Sequence, residues 1–440
     1  MPGCLPIEDG IADGGRRVAW VESESEQVEM TTNEASQPPD RRTALLSSRS
    51  AMAFVILIGT VSLFSDMTYE GGRSLVGQFL KLLGSSATAV GIAVGAGEFL
   101  GYSIRLISGF AADRSGAYWR ITVIGYCVQL FAMPLLAFVG QWQIAIGLLF
   151  LERIGKAIRN PARDAMLSYA TKEMGRGWGY GLHEAMDQIG AFLGPVMVAT
   201  ALFVRGGSDL GIADYQAAFV LLFVPAVVAI AVLLTARSRF PRPRDLESKT
   251  PKVSATGFTR RYWLFVLASG FVGAGFVDFA LMAFHFESVG TVADEWVPIL
   301  FAVGMAVDAA AALVMGRLYD RIGFVTLVGA VALGAFFAPL VYFGSLPVVL
   351  VGIGLWGIGL SAQESILKAA LASLIPIDRR AYGFGMFAVV FGIFWFAGSA
   401  TMGFLYDRDV AYLVVFSVVL QLIALPIFYL ARRAPSPAAT

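Results

Sequence analysis

Gly109-Phe-Ala-Ala-Asp113-Arg114-Ser-Gly116 and, 207 residues further on, Gly316-Arg-Leu-Tyr-Asp320-Arg321-Ile-Gly323 share one spacing of glycines around an Asp-Arg pair, and each closes a long apolar run. A second register supports the first. Trp178-Gly179-Tyr180-Gly181-Leu182 matches Tyr382-Gly383-Phe384-Gly385-Met386 at an offset of 204. Two separate matches at nearly one offset mean a duplicated unit, the internal repeat on which many transporter folds are built.

Apolar residues make up 57% of the 440-residue chain and charged ones 15%, against roughly 45–50% and about 25% in soluble domains. Water is therefore not the main solvent. Runs of bilayer-crossing length, about 20 residues, fall at 51–80, 87–112, 119–140, 142–166, 177–204 and 214–236, then at 262–287, 296–317, 323–344, 346–374, 381–405 and 410–431. The fold class expected is an all-α membrane protein, twelve transmembrane helices in two six-helix pseudo-symmetric bundles. Cations gather in alternate connections: Arg41, Arg42 and Arg49, Arg114 and Arg120, Lys172 and Arg176, Arg379 and Arg380, Arg432 and Arg433, and the stretch Arg237 to Arg261. The opposite connections offer Lys81, Arg205 and Arg408. By the positive-inside rule both termini and the linker are cytoplasmic, and an even number of spans is what this asymmetry requires.

The organisation that follows is a polar, acidic cytoplasmic tail expected to be disordered over residues 1–48, an N-terminal six-helix bundle over 49–236 and a cytoplasmic linker over 237–261. A C-terminal six-helix bundle over 262–432 and a cytoplasmic tail over 433–440 complete the chain. The tail lacks the apolar run of a leader peptide. Cys4 and Cys127 are the two cysteines, without disulfide or metal-binding spacing.

The Gly-x-x-x-Asp-Arg-x-Gly pattern between spans 2 and 3, repeated between spans 8 and 9, resembles the signature of the major facilitator superfamily. The resemblance covers essentially everything after residue 50. It implies the twelve-helix fold of that superfamily and a cytoplasmic gate formed by Gly109, Asp113, Arg114 and Gly116 with Gly316, Asp320, Arg321 and Gly323. There the glycines let helices approach and the Asp-Arg pairs bridge helix ends. Gly190-Ala-Phe-Leu-Gly194-Pro195 resembles part of a span-5 motif of the superfamily's drug/proton antiporters, although a small-residue packing surface gives the same spacing. Glu152 to Asp164 resembles a segment of a poorly characterised bacterial branch.

A charge at bilayer depth is costly unless it faces the bundle interior or a water-filled cavity, so each such residue is a functional candidate. Glu152, Lys156, Arg159 and Arg163 lie at i, i+4, i+7 and i+11, one helical face, with Arg153 on its flank. Arg159 and Arg163, nearest the cytoplasm, are assigned to the gate. Arg153 and Lys156 are divided between substrate contact and an internal ion pair. Ser62, Asp66, Tyr69 and Arg73 form a stripe on span 1, with Glu70 beside it. Glu98, Glu184, Asp187, Asp278, Asp308 and Glu364 complete the acidic set, in which each carboxyl either carries protons or is permanently paired, for instance Glu98 with Arg105 or Glu364 with Lys368. Asp66, Asp187 and Asp278 are the strongest candidates for proton coupling. His285 packs or hydrogen-bonds at the outer mouth.

The function expected is secondary active transport, a proton-coupled export of a small polar or amphipathic organic solute by alternating access. A divalent-cation exporter and a non-transporting receptor or assembly factor of the same fold are the alternatives. A Gly-x-x-x-x-Gly-Lys nucleotide loop does not occur, which disfavours an ATP-driven pump. No enzymatic role, cofactor, metal site or nucleic-acid partner is expected. The partners are a small-molecule substrate, protons and the lipid bilayer of the bacterial inner membrane, with the monomer as the functional unit.

Overall fold

The computed structural model describes residues 41–174, 176–206, 210–241, 258–375 and 380–433. Tail residues 1–40 and 434–440 and linker residues 242–257 lie outside the described residues. Twelve helical spans follow in order: α1 (Arg41–Leu82), α2 (Ala87–Ser115), α3 (Tyr118–Phe138), α4 (Trp142–Met174), α5 (Arg176–Arg205) and α6 (Ile212–Arg239), then α7 (Arg260–Val289), α8 (Val297–Ile322), α9 (Phe324–Phe343), α10 (Leu346–Leu374), α11 (Arg380–Tyr406) and α12 (Val410–Arg433). Helix α1 starts at Arg41, inside the stretch expected as tail. Among the described residues eleven helices are long and apolar enough to cross a membrane. The twelfth, α4, falls short because its charged face runs from Glu152 to Asp164.

In hydrocarbon every backbone polar group must be satisfied within the protein, which leaves helices as the spanning element of such a chain. Their interruptions are therefore local and supported. α3 ends in a 3-10 turn that begins at Pro134, where the missing N–H ends the regular ladder. α7 breaks after Gly275 and resumes at Phe279, with Asp278 capping the second segment through a 2.9 Å bond from the Ala280 N–H. α10 contains a π-helical turn at Ala362–Ile366.

The repeat is visible in how helices cross. Gly194 of α5 lies against Met67 and Gly71 of α1, and Gly398 of α11 lies against Ala274 of α7. These positions are related by the offsets of 204 and 207 found in the sequence. One helical turn earlier the pairs are Gly190 with Leu63 and Phe394 with Gly270, so the glycine has changed helices while the close approach persists. The span-5 motif is thus at least a packing surface, the association mode small residues permit in lipid.

The signature glycines divide their work differently from expectation. Gly116 and Gly323 close α2 and α8 with φ of 64° and 61°, a left-handed conformation that a β-carbon disfavours. Gly109, by contrast, meets Pro161 only at ordinary contact distance, and Gly316 faces open space. Helix termination, and not close approach, is what the signature glycines supply in this conformation.

Residues 50–440 form one compact unit. Its closest contacts between the two halves lie at the end opposite the chain termini. There Gly77 of α1 abuts the Ala280 carbonyl and Ala283 of α7, and Gly91 of α2 abuts Ser399 and Gly403 of α11. The connection after α11 reaches across as well. Asp407 accepts bonds from the Ala87 and Thr88 N–H groups at 3.0 and 2.8 Å and from Thr88 Oγ1 at 2.6 Å, which caps α2.

Candidate functional site

The α1 stripe and the charged face of α4 meet inside the N-terminal half. Arg153 is the centre of this meeting. Its Nη2 lies 2.9 Å from Glu98 Oε1 and its Nε 3.7 Å from Glu152 Oε2, while Nη1 donates to the Tyr69 hydroxyl. Glu98 therefore pairs with α4, and not with Arg105, whose guanidinium stands over the Tyr102 ring at 5.5 Å. Lys156 caps the Tyr69 ring with its ammonium 3.9 Å from the centroid, a contact that offsets part of the cost of a desolvated cation.

From Glu152 the network continues into α3. Gln129 Nε2 donates to Glu152 Oε1 at 3.0 Å, Arg159 Nε donates to Gln129 Oε1, and Arg159 Nη1 donates to the Tyr126 hydroxyl at 3.0 Å. Glu152 and Arg159 are both 1% exposed. Charges so deeply buried persist only when their partners are complete. Arg159, assigned to the gate from sequence, is held within its own half here. Arg163 is likewise engaged locally, with Asp164 at 2.8 Å and the Ser62 hydroxyl at 3.3 Å, and Ser62 also meets His183 Nε2 at 2.9 Å.

Among the described residues one ion pair crosses to the other half. Arg73 Nη2 lies 2.6 Å from Asp278 Oδ2, and Arg73 Nη1 lies 3.5 Å from Glu70. The break in α7 is what presents Asp278 here, because the carboxylate both caps the second segment and faces α1. Tyr69, Arg73, Glu152, Arg153 and Asp278 line a cavity of about 30 Å³, room for a water molecule or two. Between this cavity and the chain ends lies the remainder of the acidic set. Asp66 is within electrostatic reach of Asp187, Lys156 and Glu70. Glu184, Asp308 and Glu364 are within reach of one another across α5, α8 and α10. Glu364 and Lys368 form no ion pair among the described residues, so that expected pairing is not observed.

At the opposite end from the termini, Gln78 Nε2 of α1 is shared between Glu287 Oε2, the Asp294 carbonyl and Asp294 Oδ1 at 3.3–3.4 Å. His285 bonds the Tyr406 hydroxyl at 2.9 Å, the role expected of it. Among the described residues no group of three His, Cys, Asp or Glu side chains could hold a metal ion. Of the signature residues, the Asp113 side chain lies outside the described residues. Arg114, Asp320 and Arg321 are exposed and form no ion pair among the described residues.

Sequence reasoning placed Arg73 on the span-1 stripe without a partner and gave no role to Gln129, Gln78 and Asp407. Arg73 carried a signal, since it stands on the Asp66–Tyr69 stripe and is a cation at bilayer depth. Asp407 carried no such signal, because its capping role depends on a partner more than 300 residues distant.

The Major Facilitator Superfamily profile matches residues 44–323. A protein of Mycobacterium tuberculosis, itself uncharacterised, is 37% identical over 396 residues, 88% of this chain and 95% of the relative. An uncharacterised MFS-type transporter of Methanocaldococcus jannaschii is 24% identical over 84% of this chain and 92% of its own length. Among solved structures, a bacterial homologue of the human lysosomal transporter Spinster, in an inward-facing and unoccupied conformation, is similar with a TM-score of 0.68 at 14% identity. The match covers 88% of this chain and 99% of that one. The nucleoside transporter NupG is similar with a TM-score of 0.67 at 11% identity, over 86% of this chain and 98% of that one.

Proposed function

The chain belongs to the major facilitator superfamily, and from that premise we propose that it is a proton-coupled secondary transporter which exports a small polar or amphipathic organic solute by alternating access. The observation that carries the reading is the Arg73–Asp278 ion pair, which joins α1 to α7 beside a water-sized cavity continuous with the Arg153 network. Ionisable groups at such depth are expensive to keep, and a pair that bridges two moving halves gives them a use.

With the termini in the cytoplasm of a bacterial inner membrane, as the cation distribution requires, the tight end of the molecule is extracellular. The state is then inward-facing. Gly77 on α7, Gly91 on α11 and Asp407 on α2 seal the outside, while Arg114, Asp320 and Arg321 stand exposed as parts of an unlatched cytoplasmic gate. While Asp278 is charged, its pairing with Arg73 holds α1 to α7 and keeps the outer end closed. Once the outer end has opened to release solute, Asp278 takes up a proton from outside. After closure the proton leaves to the cytoplasm by way of Asp66 and Asp187, Asp278 pairs with Arg73 again, and the monomer is the working unit.

The test is solute-evoked proton movement. Proteoliposomes with an entrapped pH-sensitive dye are challenged with nucleosides, dipeptides, sugars and amphipathic amines. At least one class should evoke a proton flux absent from empty liposomes. Transport of a class without any proton signal would remove the coupling.

A further inference from the structure

The Arg153 network satisfies its own charges, but the junction of α5, α8 and α10 does not. Asp308 is 4% exposed, yet it finds no hydrogen-bond or ion-pair partner among the described residues. Glu364 of α10, Glu184 of α5 and Glu70 of α1 are the acids acting on it, and Lys368 is the cation within reach. Four carboxyls thus act around one ammonium.

A second observation comes from α10 itself. Its π-helical turn, Ala362–Ile366, packs on α8 and carries both Gln363 and Glu364. Such turns interrupt α-helices frequently at functional sites. Gln363 is 7% exposed; its amide N–H reaches the Gly359 carbonyl at 3.2 Å, but its Oε1 is buried without a partner. On α5, Asp187 Oδ1 is also buried and unpartnered. The unfilled positions named here are all acceptors, and a buried acceptor left empty carries the full desolvation cost. Donors bearing positive charge would answer both the empty lone pairs and the excess of acid.

We infer that the transported solute carries a protonated amine, whose N–H donors are received by Asp308 and Glu364 together with Gln363 Oε1 at the α5–α8–α10 junction. The inference rests on the transporter reading above, to which it adds a substrate class. An organic ammonium can engage these groups one or two at a time as the helices shift. A bare divalent ion needs several oxygens at 2.3–2.6 Å at once, and no such acidic grouping exists among the described residues.

Four probes of one size separate charge from donors: benzylammonium, benzyltrimethylammonium, benzyl alcohol and benzoate, with manganese chloride as a fifth. Each is titrated against the purified full-length protein, read as a shift in melting temperature. Benzylammonium should raise the melting temperature with an apparent Kd at least tenfold tighter than benzyltrimethylammonium, and benzyl alcohol and benzoate should give no shift. Asp308→Asn and Glu364→Gln should each weaken benzylammonium at least tenfold while their melting temperatures without probe stay near wild type. An equal or larger shift with benzoate, benzyl alcohol or manganese in the wild-type protein would overturn the inference, even if neither variant folds. Full benzylammonium affinity in both folded variants would also overturn it. Binding is measured without a gradient, so its failure is separate from a failure of proton coupling.

Discussion

Arg73 Nη2 stands 2.6 Å from Asp278 Oδ2, and this contact ties the first helix of one repeat to the first helix of the other. The side chains are 16% and 5% exposed, so neither charge is well hydrated. Removing one partner of such a pair costs about 3–5 kcal/mol, whereas replacing both by apolar groups is often neutral. Arg73→Met should therefore destabilise strongly, and Arg73→Met/Asp278→Leu should recover most of that loss while remaining inactive in transport. Thermal unfolding of the single and double variants tests this. A double variant no more stable than Arg73→Met would show that the two residues do not act as a pair.

Glu98 holds Arg153 at 2.9 Å. A hydrogen bond to a charged group contributes about 1.5–3 kcal/mol, so Glu98→Gln should reduce transport about tenfold or more. Arg105→Gln, which leaves the Glu98–Arg153 pair intact, should have a smaller effect. Initial rates in proteoliposomes decide the order, and a greater loss with Arg105→Gln would restore the pairing suggested by their spacing on one helix.

Asp407 closes the outer end by capping α2 from the opposite half. A carboxylate at a helix N-terminus contributes about 1 kcal/mol, and here that energy belongs to the closed state alone. Spin labels at Gln141 and Ser345, exposed positions at this end on opposite halves, should report a new population at longer distance in Asp407→Ala. An unchanged distance distribution would confine Asp407 to a local role.

Gly77 gives the same closure by its lack of a side chain, since a β-carbon there would lie 2.8 Å from that of Ala283. Gly77→Val should separate α1 from α7 and produce the same lengthening. Gly354→Ala, at a position with nothing within 4 Å of an added β-carbon, should leave the labels unmoved.

The spans, their duplication and the depth of the charges were legible because bilayer thickness and the cost of a buried charge act on each segment separately. Partners were not. Glu98 and Arg105 share a helical face, yet Glu98 turns to Arg153 because α4 packs against α2 there. The break at Asp278 and the π turn at Ala362–Ile366 leave no proline in the sequence to announce them. Nor does the sequence separate the signature's first glycine from its last, and only the backbone angles at Gly116 and Gly323 reveal which one the fold requires.

Proton coupling through Asp66, Asp187 and Asp278 is the central claim, and gradient-driven accumulation set against solute exchange tests it most directly. The measurement uses proteoliposomes and whichever solute evokes the largest proton signal in the wild-type protein. Asp66→Asn, Asp187→Asn and Asp278→Asn are compared under an imposed pH gradient and then, without one, in exchange of labelled for unlabelled solute. The account predicts that at least one variant loses accumulation while keeping exchange, because exchange requires no net proton movement. Wild-type accumulation in all three variants would contradict it.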